Sequence, residues 1–170
     1  MKVPRIVLVS AVLFSYLNMR AVHAEESRVP DHVLKQLERL VGHWIAEGTT
    51  REGKPAEMRV TVEWAPGKHM LVFHAEWSEP GRKSRGSGVF GWDAAENQVH
   101  GSEFWNNNVY HHRHFKIEGD TWRGMEFAGA DRDGKRIKGK AVMQFAPDGK
   151  SWTFEMSDVV VGGEPQERVP

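Results

Sequence analysis

The rhythm of hydrophobic and polar residues changes once along this chain, at Gly42. Before it, Val33, Leu34, Leu37, Leu40 and Val41 recur at the spacing of one helical face, opened by Pro30-Asp31. Asp31 is placed to cap exposed backbone N–H groups, and Gly42 is expected to stop the helix in the left-handed conformation that glycine adopts freely. After it the period is two. Met58, Val60, Val62 and Trp64 alternate with Arg59, Thr61 and Glu63. Ile137, Gly139, Ala141, Met143 and Phe145 alternate with Lys138, Lys140 and Gln144, and Trp152, Phe154 and Met156 with Thr153 and Glu155. Each run predicts a strand with one buried face.

Turn signals punctuate the alternation at residues 51–55, 66–68, 79–81, 93–97, 106–108, 118–120, 131–134, 147–149 and 162–163. Connectors this short and regular leave no room for crossover helices, so the sheet is expected to be an antiparallel meander of nine or ten strands. So long a meander exposes two edges unless it closes. The expected fold is therefore all-β, an antiparallel up-and-down barrel behind one short N-terminal helix, with a two-sheet sandwich as the alternative.

Composition changes the picture mainly at the N-terminus. Lys2 and Arg5 precede an uncharged stretch from Ile6 to Leu17, and Ala21-Val22-His23-Ala24 has small or apolar residues where a signal peptidase cuts. Residues 1–24 read as a secretory signal and residues 25–170 as a single domain. The apolar run is short for a membrane span, which needs about 20 residues, although an uncleaved anchor is the alternative. The expected location is periplasmic or secreted, without membrane attachment after cleavage. No cysteine occurs, so neither disulfides nor a lipid-anchored cysteine are available. The mature segment holds 20 Lys and Arg against 23 Asp and Glu, which argues against a nucleic-acid partner.

Four segments carry a resemblance: Leu40-Val41-Gly42-His43-Trp44, Phe90-Gly91-Trp92-Asp93, Gly119-Asp120-Thr121-Trp122, and Asp148-Gly149-Lys150-Ser151-Trp152-Thr153-Phe154. In this order they resemble a bacterial family of lipocalin-like (calycin-type) proteins, over most of residues 37–156. The resemblance implies the barrel and brings no reaction with it. It also implies that Trp44 packs beneath an arginine near the chain end, for which Arg168 is the candidate, so that Gly42, Trp44 and Arg168 are structural. Gly42, Trp44 and Gly48 also resemble the opening of nitrobindin, a haem-binding barrel. That family's haem ligand is a histidine near the C-terminus, whereas the last histidine here is His114, and no cofactor is expected.

The densest polar cluster is Tyr110-His111-His112-Arg113-His114. Alternation sets Val109, His111, Arg113, Phe115 and Ile117 on one face, taken as the lumen because it is the more apolar. There His111 and Arg113 could hold an acidic head group; equally, Arg113 could be a buried structural arginine paired with Glu103. His112 and His114 share the outer face but make an incomplete ligand set for a metal, and no metal site is expected. His74 and His100 are single histidines, satisfied by hydrogen bonds. Gly86 and Gly88 suit a strongly coiled strand or large neighbours leaning over it. Seven tryptophans and eight phenylalanines are mostly core, though stacking on a carbohydrate is conceivable on composition alone. No catalytic constellation is expected: Ser151 and Ser157 lack a nucleophile elbow, and Glu76 and Glu103, each beside a tryptophan, are the only acids worth considering as perturbed bases.

The function expected is binding of a small, largely apolar or amphipathic molecule, without covalent chemistry. Its site would be built from Trp64, Phe73, Trp77, His111, Arg113, Met143 and Phe154. Alternatives from other classes are a haem protein or a small-molecule-converting enzyme using His111 and Arg113, or a filled structural barrel that binds another protein.

Overall fold

Eight residues are too few for a helix to persist alone in water, so α1 (Asp31–Glu38) exists because its apolar face is buried. Val33 and Leu37 are fully buried and Leu40, just beyond, nearly so, each contributing on the order of 2 kcal/mol by leaving water. In this computed structural model, residues 29–49 and 53–166 are described. The expected signal segment, residues 1–24, and Arg168 lie outside them.

Two expectations about α1 need correction. Asp31 is the first helical residue and makes no capping hydrogen bond; instead the carbonyl of Pro30 accepts the N–H groups of Val33 and Leu34 at 2.8 and 2.9 Å. A carboxylate in the first turn still favours the positive helix end. Gly42 does not stop the helix either. The helix ends at Glu38, and three tighter bonds, from the N–H groups of Arg39, Leu40 and Val41 to the carbonyls of Gln36, Leu37 and Glu38, wind the chain down. Gly42, at φ +137°, is the hinge that redirects it into the first strand.

Ten strands follow among the described residues: β1 (Gly42–Thr49), β2 (Pro55–Trp64), β3 (Met70–Glu79), β4 (Arg82–Asp93), β5 (Gln98–Trp105), β6 (Tyr110–Glu118), β7 (Thr121–Ala130), β8 (Arg136–Phe145), β9 (Trp152–Val161) and β10 (Glu164–Pro165). They form one sheet in sequence order, every pair antiparallel. The protein is thus all-β with one short helix. Register shifts between Gly124 and Phe127, and opposite Lys138 and Lys140, insert one extra residue into β7 and into β9. Each reverses the alternation, so Phe127 and Val159 turn inward where strict period two would send them out.

One end of the sheet is sealed by α1 and a cluster of rings. Trp122 is fully buried, with ring centres 6.0 Å from Phe115, 5.9 Å from Phe145 and 6.5 Å from Phe90. Arg39 ties the helix to this floor. Its guanidinium lies over Phe145, pairs with Asp120 and donates to the Ala146 carbonyl at 3.2 Å. At the same end Trp44 meets Trp152 edge to face at 6.1 Å, bringing side chains of β1 and β9 together. The Trp44 indole N–H donates to the Leu40 carbonyl at 2.7 Å.

Four inward-facing glycines shape the wall. Gly86, Gly88, Gly101 and Gly139 are the register partners of Trp105, Phe73, Phe90 and Phe127 respectively. A Cβ built on them would stand only 2.5 to 2.7 Å from the partner ring, and at Gly88 and Gly139 also against the backbone carbonyls of Ser102 and Ser157, so the rings, joined at those two sites by backbone, occupy the space a side chain would take. This is the leaning-neighbour reading of Gly86 and Gly88, extended to two further pairs.

Candidate functional site: an apolar cavity with one ionic cluster

Above the ring floor the inner face of the sheet lines a cavity of about 650 Å³, within the range of small-molecule sites, roughly 300 to 1,000 Å³. Leu40, Val62, Phe90, Phe115 and Met143 lie toward the α1 end. Met58, Val60, Phe73, Ala75, Trp77, Trp105, Trp152, Phe154 and Met156 form the walls. Thr49, Glu79, Arg82 and Asn107 lie at the opposite end, where β1 and β3 finish, β4 begins and β5 turns into β6. Alternation puts these side chains on one face of each strand, and the antiparallel ladder stacks the faces into a continuous lining.

Six of the seven residues expected to bind a ligand, Phe73, Trp77, His111, Arg113, Met143 and Phe154, are brought together in this lining. Trp64 is not. It shares the inward face of β2 with Met58, Val60 and Val62, but stands at the strand's last position, beneath the helix. There its indole N–H donates to a Glu38 carboxylate oxygen at 2.6 Å, and Lys68 lies over the ring at 5.9 Å. It fastens α1 to the sheet. Trp105, Met58 and Met156 line the cavity although the pattern does not single them out, and Glu103 lines it as the partner of Arg113 that one of the two readings names. Glu103 carried a readable signal, since it shares parity with the inward Val99 and Gly101.

The cavity's ionic centre is built on the β5–β6 ladder. Glu103 and His111 are register partners, and Arg113 lies two residues further along β6. One carboxylate oxygen, Glu103 Oε1, accepts from His111 Nδ1 at 2.7 Å and from Arg113 Nη2 at 2.5 Å. An ionised carboxylate only accepts, so the proton of the His111–Glu103 bond sits on Nδ1. The 3.3 Å approach of Arg113 Nη2 to His111 Nδ1 is then two donors converging on one acceptor. The Arg113 guanidinium also lies 5.3 Å from the centre of the Phe154 ring, and His111 meets Phe127 edge-on at 5.9 Å. Burial by itself would raise the Glu103 carboxyl, but the His111 hydrogen bond and the Arg113 charge outweigh it and hold the group down at about 2. Arg113 is thus the paired arginine, and Glu103 stays ionised and is a poor proton acceptor near neutrality.

The other candidates are occupied elsewhere. Glu76 pairs with Arg85 at 2.9 Å and Lys83 at 3.9 Å on the outer face, and its carboxyl is lowered chiefly by the Arg85 hydrogen bond. His74 Nδ1 is 2.8 Å from Ser87 Oγ, and His112 Nδ1 is 2.8 Å from Ser102 Oγ. The His100 and His114 rings lie 4.1 Å apart, tilted by 43°, with His100 Nε2 3.5 Å from an Asp93 carboxylate oxygen. Among the described residues no three side chains are grouped to hold a metal ion.

No protein-family model and no curated protein matches this chain.

Proposed function

We propose that the chain closes into a lipocalin-like barrel, is exported, and carries a small, largely apolar molecule in its cavity without chemically altering it. The observation that carries this reading is the roughly 650 Å³ space lined mainly by aromatic and aliphatic side chains. A filled structural barrel would have no such space. The Trp44–Trp152 contact supports closure, since it joins the first strand to the ninth. The pairing of Glu103 with both His111 and Arg113 supports a binding role over an enzymatic one, because the group that could take a proton is held in its ionised form.

Trp77, Trp105 and Trp152 line the cavity, so ligand entry should change intrinsic fluorescence. Titration with an apolar probe should quench it saturably in the micromolar range, about −8 kcal/mol. Mass spectrometry of small molecules released from purified protein would identify a natural occupant. Failure of every apolar probe to bind, with no co-purifying molecule, would overturn the proposal. Export is tested separately by the mass of protein recovered from a periplasmic fraction, expected to begin at Glu25.

A further inference from the structure

We propose that the cavity selects uncharged ligands bearing a hydroxyl or carbonyl oxygen, and that Glu103 is the specificity residue that rejects carboxylates. This rests on the binding function proposed above and names its ligand class.

The cavity's basic side chains do not make an anion site. Arg113 already has its counter-ion, 2.5 Å away and only 7% exposed on its side chain. Near the other end, Arg82 is likewise paired, with Glu79 at 3.3 Å. An incoming carboxylate would have to displace Glu103 from Arg113 or settle beside it. Displacement strands a buried negative charge, and co-occupancy sets two like charges together where water screens them poorly. Glu103 and Arg113 already neutralise each other, and an uncharged ligand meets no such obstacle.

Unused hydrogen-bonding capacity points to oxygen. Two donors on lining residues, Arg113 Nε and Trp152 Nε1, are buried without an acceptor among the described residues, so a ligand oxygen that reaches them as these side chains shift satisfies a bond otherwise left unmade. A hydroxyl or a carbonyl oxygen can accept from either donor.

The test compares decan-1-ol with decanoic acid, equal in chain length and different in head-group charge, by quenching of tryptophan fluorescence at pH 7.5. Decanol should bind at least about tenfold more tightly. Glu103→Gln, which keeps an acceptor oxygen but removes the charge and frees Arg113, should reverse the order. Equal or tighter binding of decanoate to the unsubstituted protein would overturn this inference while leaving the binding function intact. Failure of both probes would overturn this inference, while the binding function is decided by the wider set of apolar probes and the search for a co-purifying molecule. The comparison in the unsubstituted protein decides the matter even if Glu103→Gln does not fold.

Discussion

The guanidinium carbon of Arg39 stands 4.4 Å from the centre of the Phe145 ring, so the closed end of the sheet is joined to its helix by a cation resting on a buried aromatic. The same group donates to the Ala146 carbonyl and pairs with Asp120, whose side chain is 57% exposed. The solvated ion pair counts for little. The ring contact and the carbonyl bond dominate, and Arg39→Ala should cost about 1 to 3 kcal/mol in urea unfolding. An unchanged unfolding midpoint would show the helix to be held by its buried apolar face and the Trp64–Glu38 bond without Arg39.

Trp44 offers a finer dissection of that end. Trp44→Phe removes the 2.7 Å bond to the Leu40 carbonyl but keeps a ring against Trp152, and should cost about 1 kcal/mol. Trp44→Ala removes both. Because the residue is only half-buried, the loss should be about 2 to 4 kcal/mol, toward the lower part of the range for deleting a buried aromatic. Equal effects of the two substitutions would mean that the ring contact contributes nothing.

Acid should destabilise the protein through Glu103 in a recognisable window. Its carboxyl is held at about 2 when folded, against an ordinary value of 4.5. The unfolded chain therefore takes the proton first. Stability from this group is complete above about pH 4.5 and is lost as pH falls toward 2, amounting to about 3 kcal/mol. Outer-face carboxylates such as Glu57 and Glu76 are lowered too, so the diagnostic is a difference: between pH 5 and pH 2.5, Glu103→Gln should lose less stability than the parent. Parallel acid curves would place the depressed group elsewhere.

Gly86→Ala is a test of how the wall is packed. The added methyl meets only the Trp105 indole among its nearest neighbours, at 2.5 to 2.9 Å, so the ring must swing away from the strand, into the space it borders. Overpacking of this kind costs about 1 to 3 kcal/mol. It should also weaken long apolar ligands more than short ones in fluorescence titrations. Equal weakening across chain lengths would show that the ring had moved some other way.

Alternation revealed β2, β8 and β9 because each has one wet and one buried face, and the turn residues marked where strands reverse. What period two specifies is a face, not a height along the strand. That is why period two alone places Trp64 in the cavity: its parity matches Val60 and Val62, but only α1, packed across the end of β2, decides that the position is roofed over. Arg39 escaped notice for a related reason. It lies in the turn between helix and strand, where neither period applies, and its partners Asp120 and Phe145 are distant in sequence. The two extra residues in β7 and β9 left no compositional mark, so the inward turns of Phe127 and Val159 could not be read from spacing. The Glu103–Arg113 pairing was legible as one of two alternatives. Choosing between them required the distance of a single oxygen to two donors.

The glycine–aromatic pairs imply that the capacity of this protein is written in residues a ligand would never touch. Phe73 and Phe90 lie flat against β4 and β5 because Gly88 and Gly101 offer them nothing to climb over. One methyl group at Gly86 or Gly101 would tip the facing ring inward and change the largest molecule that fits, with every lining side chain retained. Descendants of this sequence could therefore drift from one ligand size to another through single glycine replacements, and two chains with identical lining residues need not accept the same guest.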